Sequence, residues 1–436
     1  MPGSSLPDRP LSWQVCAGCE RELSSSAPDA QCPDCGGLLE VRHRPPAREG
    51  EALRKLFLER RGRTGRLDSS GVWKYRELVL PEAGAEDVVT HPEGNTPLLS
   101  RESVSRFAGV ASLFLKHEGH NPTGSFKDRG MTVGMTQARR VRARAVACAS
   151  TGNTSASLAA YAADAGLPAL VFVPSGQVAL GKLAQTLAYG AKTLLVRGDF
   201  DACFALVRQA AEKLNVYLLN SVNPFRIEGQ KTIVFELLEQ LLFDPPDWIA
   251  LPAGNLGNTS AFGKALREAR DLGLIPRLPR LACIQAEGAN PFARAFREGF
   301  VRPHKVKADT IATAIKIGDP ASLDRGIAAI RLTDGVVTDV ADEEILEAKA
   351  VVDASGVGCE PASAASVAGV RKLAAQGVIR ESDRVVAVLT GHILKDPGLL
   401  IDYHQEREPA PSRANRPIEI DPDLAAVEAV LSRRDA

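Results

Sequence analysis

Residues 144–174, RAVACASTGNTSASLAAYAADAGLPALVFVP, decide the fold. This stretch begins with a short apolar run, turns through small polar residues, continues as an alanine-rich helical segment and ends in a second apolar run. Strand, helix and strand in this order predict a βαβ unit with parallel strands. Because both runs are apolar at nearly every position, we expect the sheet to be buried on both faces.

The same rhythm continues on both sides of this unit. Further strand-like segments are LFLKHE, KTLLVRG, VYLLNS, WIALPAG, RLACIQAEG and RVVAVLTG, and nearly all end in small or polar residues that begin a loop and then a helix. The sequence therefore predicts an α/β fold with mostly parallel sheets. Ligands of such sheets gather at the carboxyl ends of the strands, where the unusual residues of this chain also fall.

Composition narrows the class of protein. The chain has 436 residues, more than one ordinary core accommodates, which predicts two domains with small appendages. Lys plus Arg and Asp plus Glu both number 53, so no global charge attracts nucleic acid or anionic membranes. No apolar run approaches the ~20 residues of a membrane span, and the first residues do not resemble a secretory signal. We expect a cytoplasmic enzyme without nucleic-acid or membrane partners.

Four of the eight cysteines are arranged as two C-x2-C pairs separated by twelve residues: Cys16, Cys19, Cys32 and Cys35. Two such knuckles can complete a tetrahedral zinc site, and four thiolates leave no open position, so the predicted zinc is structural. A redox or disulfide pair, or a knuckle without metal, is the alternative. The other cysteines are scattered and are expected to be small buried residues: Cys148, Cys203, Cys283 and Cys359.

The first strand end carries a lysine. The segment HNPTGSFKDRG, residues 120–130, makes a turn and places Lys127 at or near the start of a helix. The positive end of the helix and partial burial both lower the pKa of a lysine, as an imine-forming amine requires. A solvated surface lysine is the alternative interpretation.

Two further strand ends are rich in hydroxyl, amide and glycine residues. ASTGNTS, residues 149–155, suits a carboxylate, although a capped helix start uses some of the same residue types. PAGNLGNT, residues 252–259, lets backbone N–H groups approach a phosphate, and its spacing is not that of a nucleotide triphosphate loop. Its glycines alone could also be turn residues.

The remaining strand ends complete the set. NSVNPFR, residues 220–226, offers Asn, Ser and Arg to a second anion. TGHILKD, residues 390–396, begins with a hydroxyl that could meet a heterocycle nitrogen, while His392 and Lys395 are either ligand contacts or ordinary helix-start residues. A reactive lysine, a phosphate loop, an anion loop and a neutral hydroxyl are the combination that a pyridoxal 5′-phosphate enzyme uses.

The chain resembles the threonine synthases, within the fold type II group of pyridoxal-phosphate enzymes. The resemblance spans residues 91–400 and rests on blocks in the family's order: NPTGSFKDRG, ASTGNTSASLAAYAADAG, NSVNPFRIEGQKT, PAGNLGN, ATAIKIGDP, GVGCEPASAA and LTGHILKDP. Related dehydratases share SFKxRG, whereas PAGNLGN together with LTGHILKDP is more specific. Some members also carry a four-cysteine knuckle.

The resemblance implies a role for each matching residue. Lys127 binds the cofactor covalently and carries protons, Asn153 bonds the phenolic oxygen of the cofactor, and Thr390 faces the pyridine nitrogen and is expected to leave it uncharged. The cofactor phosphate is bound by Gly254, Asn255, Leu256, Gly257 and Asn258. The substrate carboxylate is implied to bind Ser150, Thr151 and Thr154, and the substrate phosphate Asn220, Ser221 and Arg226. Lys116 is a further candidate for substrate binding.

The implied reaction, that of a carbon–oxygen lyase, converts O-phospho-L-homoserine and water to L-threonine and phosphate in a homodimer. The implied organisation has a disordered start at 1–12, a zinc-ribbon-like knuckle at 13–45, a large cofactor-binding domain at 46–127 and 223–405, and a small α/β domain at 128–222. Residues 46–80 are expected to form a charged helical linker. A Pro-rich tether and an amphipathic helix follow at 406–436.

Three alternatives stay open at this point. One is a threonine or serine dehydratase, which needs no second anion site. Another is a cysteate synthase-like β-replacement enzyme, which uses a phosphoester substrate and sulfite. The third, from a different class, is a zinc-ribbon binding protein on an inactive enzyme fold, against which the intact Lys127, Gly254 and Asn258 argue.

Overall fold

The computed structural model describes residues 10–176, 183–198 and 200–432. The chain forms two compact units, one ending at Lys395 and the other beginning at Asp396. Most of the predicted disordered start, residues 1–9, lies outside the described residues, and the first strand begins at Ser12. The predicted domain boundaries remain predictions.

The strands are short and alternate with helices along most of the chain. They are β1 (Ser12–Cys16), β2 (Glu22–Ser24), β3 (Leu39–His43), β4 (Leu98–Ser100), β5 (Ser112–His117), β6 (Ala145–Ala149), β7 (Ala169–Pro174), β8 (Lys192–Val196), β9 (Val216–Leu218), β10 (Trp248–Pro252), β11 (Arg280–Ala286), β12 (Val336–Val340) and β13 (Arg384–Leu389).

The helices account for most of the remaining regular structure. They are α1 (Gly50–Arg61), α2 (Arg76–Val79), α3 (Glu102–Ala108), α4 (Lys127–Arg140), α5 (Asn153–Ala165), α6 (Ala184–Ala188), α7 (Phe200–Leu214), α8 (Pro224–Gln230), α9 (Thr232–Gln240), α10 (Gly257–Asp271), α11 (Pro291–Arg297), α12 (Leu323–Leu332), α13 (Asp342–Ala354), α14 (Pro361–Ala375), α15 (Pro397–Ile401) and α16 (Leu424–Ser432).

The larger sheet has six strands in the order β12-β11-β10-β13-β5-β4. All neighbours run parallel except the short edge strand β4, which pairs antiparallel with β5. Successive residues of one strand enter opposite cores: Ile249 and Leu251 face one cluster, whereas Trp248 and Ala250 face the other. A sheet covered on both faces is what the continuous apolar runs predict, and the predicted fold class is confirmed.

The smaller sheet has four parallel strands in the order β8-β7-β6-β9. Its central strand β6 is buried at every residue, with Val146 and Cys148 in one core and Ala145 and Ala147 in the other. The sequence analysis missed β4 and β12. Both lie at an edge of the larger sheet, where a strand needs fewer apolar residues and the pattern is weak.

The N-terminal module is a three-stranded antiparallel sheet, β2-β1-β3, that carries the cysteine knuckles. The predicted helical linker after it is only partly helical: α1 ends at Arg61, and the chain then continues irregularly to a short helical turn, Trp73–Tyr75. Leu53 and Phe57 of α1 are fully buried, so this segment packs on the core.

The second unit contains α15, a π-helical turn at Asp402–Glu406, a segment with little regular structure and α16. Leu424, Val427 and Leu431 of α16 are exposed, and the predicted amphipathic character of this helix stays a prediction. None of the helices in the described ranges has both the length and the apolar character required to cross a bilayer.

Candidate active site

The turn before Lys127 is bound to the segment that follows β13. Phe126 donates its N–H to the Thr390 carbonyl oxygen at 3.0 Å, and Ser125 forms an antiparallel bridge with Gly391. Because Lys127 is the first residue of α4, its side chain is held at the carboxyl end of the larger sheet. The structure thus places the lysine where the strand order predicts ligands.

Lys127 has the electrostatics of a reactive amine. Its side chain is partly buried, and Nζ lies 4.3 Å from the centre of the Phe126 ring. Burial, and then the positive charge of Arg226, lower the pKa of Lys127 to about 7, although the carboxyl of Glu360 opposes the shift. A lysine with this pKa is substantially uncharged at neutral pH, so its nitrogen can act as a nucleophile or accept a proton.

Asn153, Thr390 and Glu360 meet beside this lysine. Asn153 Nδ2 donates to Glu360 Oε2 at 2.9 Å, and the Thr390 hydroxyl donates to Glu360 Oε1 at 3.1 Å. Thr390 Oγ1 also lies 3.0 Å from Ser363 Oγ. The structure therefore brings the two residues predicted to contact the cofactor ring to one carboxyl group.

Sequence reasoning missed Glu360. It is only 4% exposed and precedes Pro361, the first residue of α14. Burial raises the pKa of the Glu360 carboxyl. The signal was present in the block GVGCEPASAA: an acidic residue directly before a helix-starting proline and near no basic residue in the sequence.

The loop after β10 has the geometry of a phosphate site. Leu256 adopts the left-handed conformation with φ 60°, and α10 begins at the next residue. The N–H groups in the first turn of a helix have no partner within the helix, so they are available to an anion. A Cβ atom on Gly254 would lie 3.1 Å from Ile315 Cα, so only glycine fits there without displacement. Asn255 fastens the loop by accepting from the Ala321 N–H at 2.6 Å and donating to Ser221 Oγ.

The loop after β6 is stabilised by Asn220. The Ala149 N–H donates to Asn220 Oδ1 and Asn220 Nδ2 donates to the Ala149 carbonyl oxygen, both at 3.0 Å. These bonds occupy both ends of the Asn220 amide, which therefore positions the loop. The hydroxyls of Ser150, Thr151 and Thr154 lie at the start of α5 and are partly exposed, so they remain accessible to a carboxylate.

Arg226 is the most unusual charged residue of the site. Its side chain is fully buried on α8, and Nη1 donates to the Leu219 carbonyl oxygen at 3.0 Å. Within the described part of the chain, its Nε and Nη2 atoms have no hydrogen-bond partner. Burial lowers the pKa of Arg226 to about 10. A buried guanidinium with unused donors is costly unless an anion completes it, so this position fits a phosphate.

The structure does not place Lys116 in this group. Its side chain is fully buried, and Nζ donates to Glu236 Oε1 at 2.6 Å, to the Thr96 carbonyl oxygen at 2.8 Å and to Gln240 Oε1 at 2.9 Å. Arg129 binds the same carboxylate at 2.8 Å. All three donors of the ammonium group are thus used within the protein, which is the arrangement of a structural ion pair.

We therefore expect Lys116→Met to destabilise the protein. Removing one member of a buried ion pair leaves the other partly uncompensated, so the free energy of unfolding should fall by about 3–5 kcal/mol. Chemical denaturation measures this change, with Lys305→Met at a mostly exposed lysine as control. Unchanged stability with a large rise in KM for substrate would instead place Lys116 in substrate binding.

His392 and Lys395 lie at the edge of the site. His392 Nδ1 accepts the Leu394 N–H at 3.2 Å, as a residue at a helical turn does. Lys395 Nζ donates to the side-chain oxygen of Gln185 on α6. These contacts account for both residues without a ligand.

The four cysteines of the N-terminal module form one cluster. Their Sγ atoms all lie within 4.8 Å of one another, and all four thiols are free. The module is joined to the site through β3: His43 Nε2 lies 2.8 Å from Glu228 Oε2 on α8, the helix of Arg226. Lys231 Nζ also contacts Glu228 Oε2, at 2.6 Å, so a buried charge network connects the module to this helix.

Comparisons with known proteins agree with this geometry. The sequence profile of the pyridoxal-phosphate dependent enzymes matches residues 89–391. Threonine synthase of Methanosarcina acetivorans is 46% identical over 90% of this chain and 94% of its own length. Threonine synthase of Methanocaldococcus jannaschii is 44% identical over 91% of this chain and 94% of its own length. Threonine synthase 2, chloroplastic, of Arabidopsis thaliana is 41% identical over 91% of this chain and 79% of its own length.

Solved structures share the fold. The crystal structure of threonine synthase from Escherichia coli has a TM-score of 0.68 against this chain, with 18% sequence identity. The match covers 96% of this chain and 99% of that one. The processed form of threonine deaminase isoform 2 from Solanum lycopersicum has a TM-score of 0.62 with 21% identity. The match covers 74% of this chain and 89% of that one.

Proposed function

We propose a function from the premise that the chain belongs to the pyridoxal-phosphate dependent enzymes and, within them, to the threonine synthases. The proposed reaction converts O-phospho-L-homoserine and water to L-threonine and phosphate, the carbon–oxygen lyase step of threonine biosynthesis. The observation that carries the proposal is the pairing of an amine of lowered pKa, Lys127, with a buried guanidinium, Arg226, whose Nε and Nη2 atoms have no hydrogen-bond partner among the described residues. A dehydratase has no need of the second feature.

The residues present fit pyridoxal 5′-phosphate. Lys127 would hold it covalently, the Gly254–Asn258 loop would bind its phosphate, Asn153 would contact the phenolic oxygen and Thr390 the pyridine nitrogen. The fit rests on the N–H groups at the start of α10, the absence of space for a side chain at Gly254 and the lowered pKa of the lysine. When bound, the cofactor supplies an electron sink for charge that develops at the substrate.

The side chains of the chain would then bind substrate and move protons. Ser150, Thr151 and Thr154 at the start of α5 would receive the substrate carboxylate. Arg226 would bind the substrate phosphate through Nε and Nη2. Lys127 would take and return protons at the α and β carbons of the substrate, since its pKa lies near neutrality.

Asn220 and Ser221 take a supporting part in this proposal. Asn220 holds Ala149 in place, and Ser221 receives the Asn255 amide, so both fix the loops that surround the substrate. We leave Lys116 out of the proposed substrate site, because its ammonium group is fully paired.

The test is to incubate the full chain, reconstituted with pyridoxal 5′-phosphate, with O-phospho-L-homoserine and to quantify threonine and phosphate together. Equal amounts of both are expected. Phosphate without threonine would overturn the proposal in favour of simple elimination. A 2-oxo acid formed from L-threonine or L-serine would favour a dehydratase, and incorporation of sulfite a cysteate synthase-like enzyme.

We also propose that the four-cysteine cluster binds a structural zinc ion, supported by Sγ atoms within 4.8 Å of one another. About one zinc per chain is expected by elemental analysis, and Cys19→Ser should abolish it and lower the melting temperature by at least about 2 °C. Asp34→Ala, at an exposed side chain of the second knuckle, between Cys32 and Cys35, is the control. Equal zinc in Cys19→Ser and control would contradict the assignment.

A cytoplasmic homodimer completes the proposal. The eight cysteines are all free thiols, which fits a reducing compartment. The dimer is inferred from the family and from the exposed apolar residues of α16. Light scattering at two protein concentrations tests it, and a monomer at both would exclude it.

A further inference from the structure

Glu360 joins two side chains that approach it from different parts of the chain. Asn153, on α5 of the smaller sheet's layer, donates to its Oε2, and Thr390, which follows β13 of the larger sheet, donates to its Oε1. The Glu360 N–H donates to the Gly391 carbonyl oxygen at 3.1 Å. A Cβ atom on Gly391 would lie 2.4 Å from the Glu360 carboxyl carbon, so glycine is required for this close approach. The carboxyl is therefore held firmly against Thr390.

The Thr390 hydroxyl has one hydrogen to give. Ser363 Oγ accepts the Gly391 N–H at 3.0 Å and lies 3.0 Å from Thr390 Oγ1. When Glu360 is ionised, the Thr390 hydrogen points to the carboxylate and only lone pairs of Thr390 remain for another partner. When Glu360 is protonated, its own hydrogen can point to Thr390 Oγ1, and Thr390 can donate elsewhere.

We propose that Glu360 is a positioning residue that shares one proton with the pyridine nitrogen of the bound cofactor through the hydroxyl of Thr390. This inference rests on the proposed cofactor. Glu360 gives its proton to Thr390 Oγ1 while Thr390 gives its own to the ring nitrogen, and the reverse transfer restores the start. Atoms and charge balance, since the carboxylate becomes negative as the ring nitrogen becomes positive. Asn153 fixes the second carboxyl oxygen in both states.

The surroundings of Glu360 support a proton that can move. Burial raises the pKa of Glu360, while the positive charges of Lys395 and Lys127 lower it, and the Cys359 thiol lies next to it in the chain. Among the described residues, Asn153 and Thr390 donate hydrogen bonds to the carboxyl, and Lys395 and Lys127 are the positive charges that act on it. The sequence alone predicts an uncharged ring from the Thr390 hydroxyl. With Glu360 behind Thr390, the charge of the ring can change during the reaction.

The test follows the ring nitrogen itself. The full chain is loaded with pyridoxal 5′-phosphate labelled with ¹⁵N in the ring, and the nitrogen chemical shift is recorded between pH 6 and 9 for wild type, Glu360→Gln and Glu347→Gln. The last variant removes a half-exposed carboxyl of α13 and is the matched control. We expect the nitrogen of the wild type and the control to titrate, and that of Glu360→Gln to stay at the value of an unprotonated pyridine.

Thr390→Val removes the hydroxyl and leaves the carboxyl, and it serves as the second variant if Glu360→Gln binds the cofactor poorly. Its ring nitrogen should also keep the chemical shift of an unprotonated pyridine at every pH. kcat should fall on the order of 10²-fold in Glu360→Gln with KM little changed, because proton supply and not substrate binding is lost. A nitrogen that behaves in both variants as in wild type would overturn the inference and leave the proposed function intact. A wild type that binds no cofactor would overturn the proposed function as well.

Discussion

Replacing Lys127 with alanine is expected to abolish turnover, with a loss of at least about 10³-fold in kcat, because the same amine is proposed to bind the cofactor and to transfer protons. The visible absorption of the lysine-bound cofactor should disappear in the same variant. Absorption spectra after gel filtration and the coupled assay of threonine and phosphate measure the two effects. Lys305→Ala, at a mostly exposed lysine, is the control and should match wild type.

The assignment of Lys127 as the cofactor-binding amine can be contradicted by the same experiment. If Lys127→Ala kept the visible band and turnover, another amine would hold the cofactor, and Lys395 would be the next candidate because it also lies near Glu360. The unfolding curve of the variant without cofactor should be close to that of wild type, since the lysine makes no ion pair among the residues described. A collapse of stability would make the loss of turnover uninformative, and Lys127→Arg would then replace alanine.

The reactivity of Lys127 should depend on pH in a defined direction. Only the uncharged amine attacks, and the pKa of Lys127 is lowered to about 7. The rate of cofactor capture by the unloaded chain should therefore rise with pH, reach half its maximum near pH 7 and level off above. Stopped-flow absorbance measures this profile. A midpoint near the ordinary lysine pKa of ~10.4 would show that the side chain is solvated.

Replacing Arg226 with alanine is expected to have the second largest effect. The guanidinium is fully buried, and two of its nitrogens are unpartnered in the described structure. Truncating one partner of a buried charge pair costs about 2–5 kcal/mol, so kcat/KM for O-phospho-L-homoserine should fall by roughly 30-fold or more. Inhibition by inorganic phosphate should weaken as well. Steady-state kinetics measures both effects.

Two further measurements separate binding from folding. Arg226→Lys retains a positive charge but loses the planar fork, so it should recover only part of the phosphate affinity. The positive charge of Arg226 also lowers the pKa of Lys127, so its removal should move the midpoint of cofactor capture to higher pH. An unchanged midpoint together with an unchanged phosphate inhibition constant would exclude Arg226 from the site.

Much of the fold was predictable because it depends on local patterns. Apolar runs bounded by small polar residues identified the central strands, and turn residues after them identified the strand ends that carry the site. Lys127 was expected at or near a helix start, and the structure begins α4 at this residue. The edge strands β4 and β12 were not predicted, because a strand with one neighbour carries fewer apolar residues.

Side-chain roles that depend on distant partners could not be predicted. Lys116 is a cationic residue shortly before the lysine loop and was therefore a candidate for substrate binding. In the structure its ammonium group donates to Glu236 and to the Thr96 carbonyl oxygen instead. Asn220 lies in a motif predicted to bind an anion, yet its amide binds the backbone of Ala149. In both cases the deciding partner is far away in the chain, and no local spacing reports it.

The sequence by itself determined the fold class, the order of the strand-end motifs, the place of Lys127 at a helix start and the paired cysteines, because each depends on residue types at short and regular spacings. Only the tertiary structure decided which polar groups are already satisfied. Packing brings Glu360 to Asn153 and Thr390, and it buries Arg226 with donors left over. Hydrogen-bond capacity is limited, so the residues left unpaired after folding are the ones that remain available for chemistry.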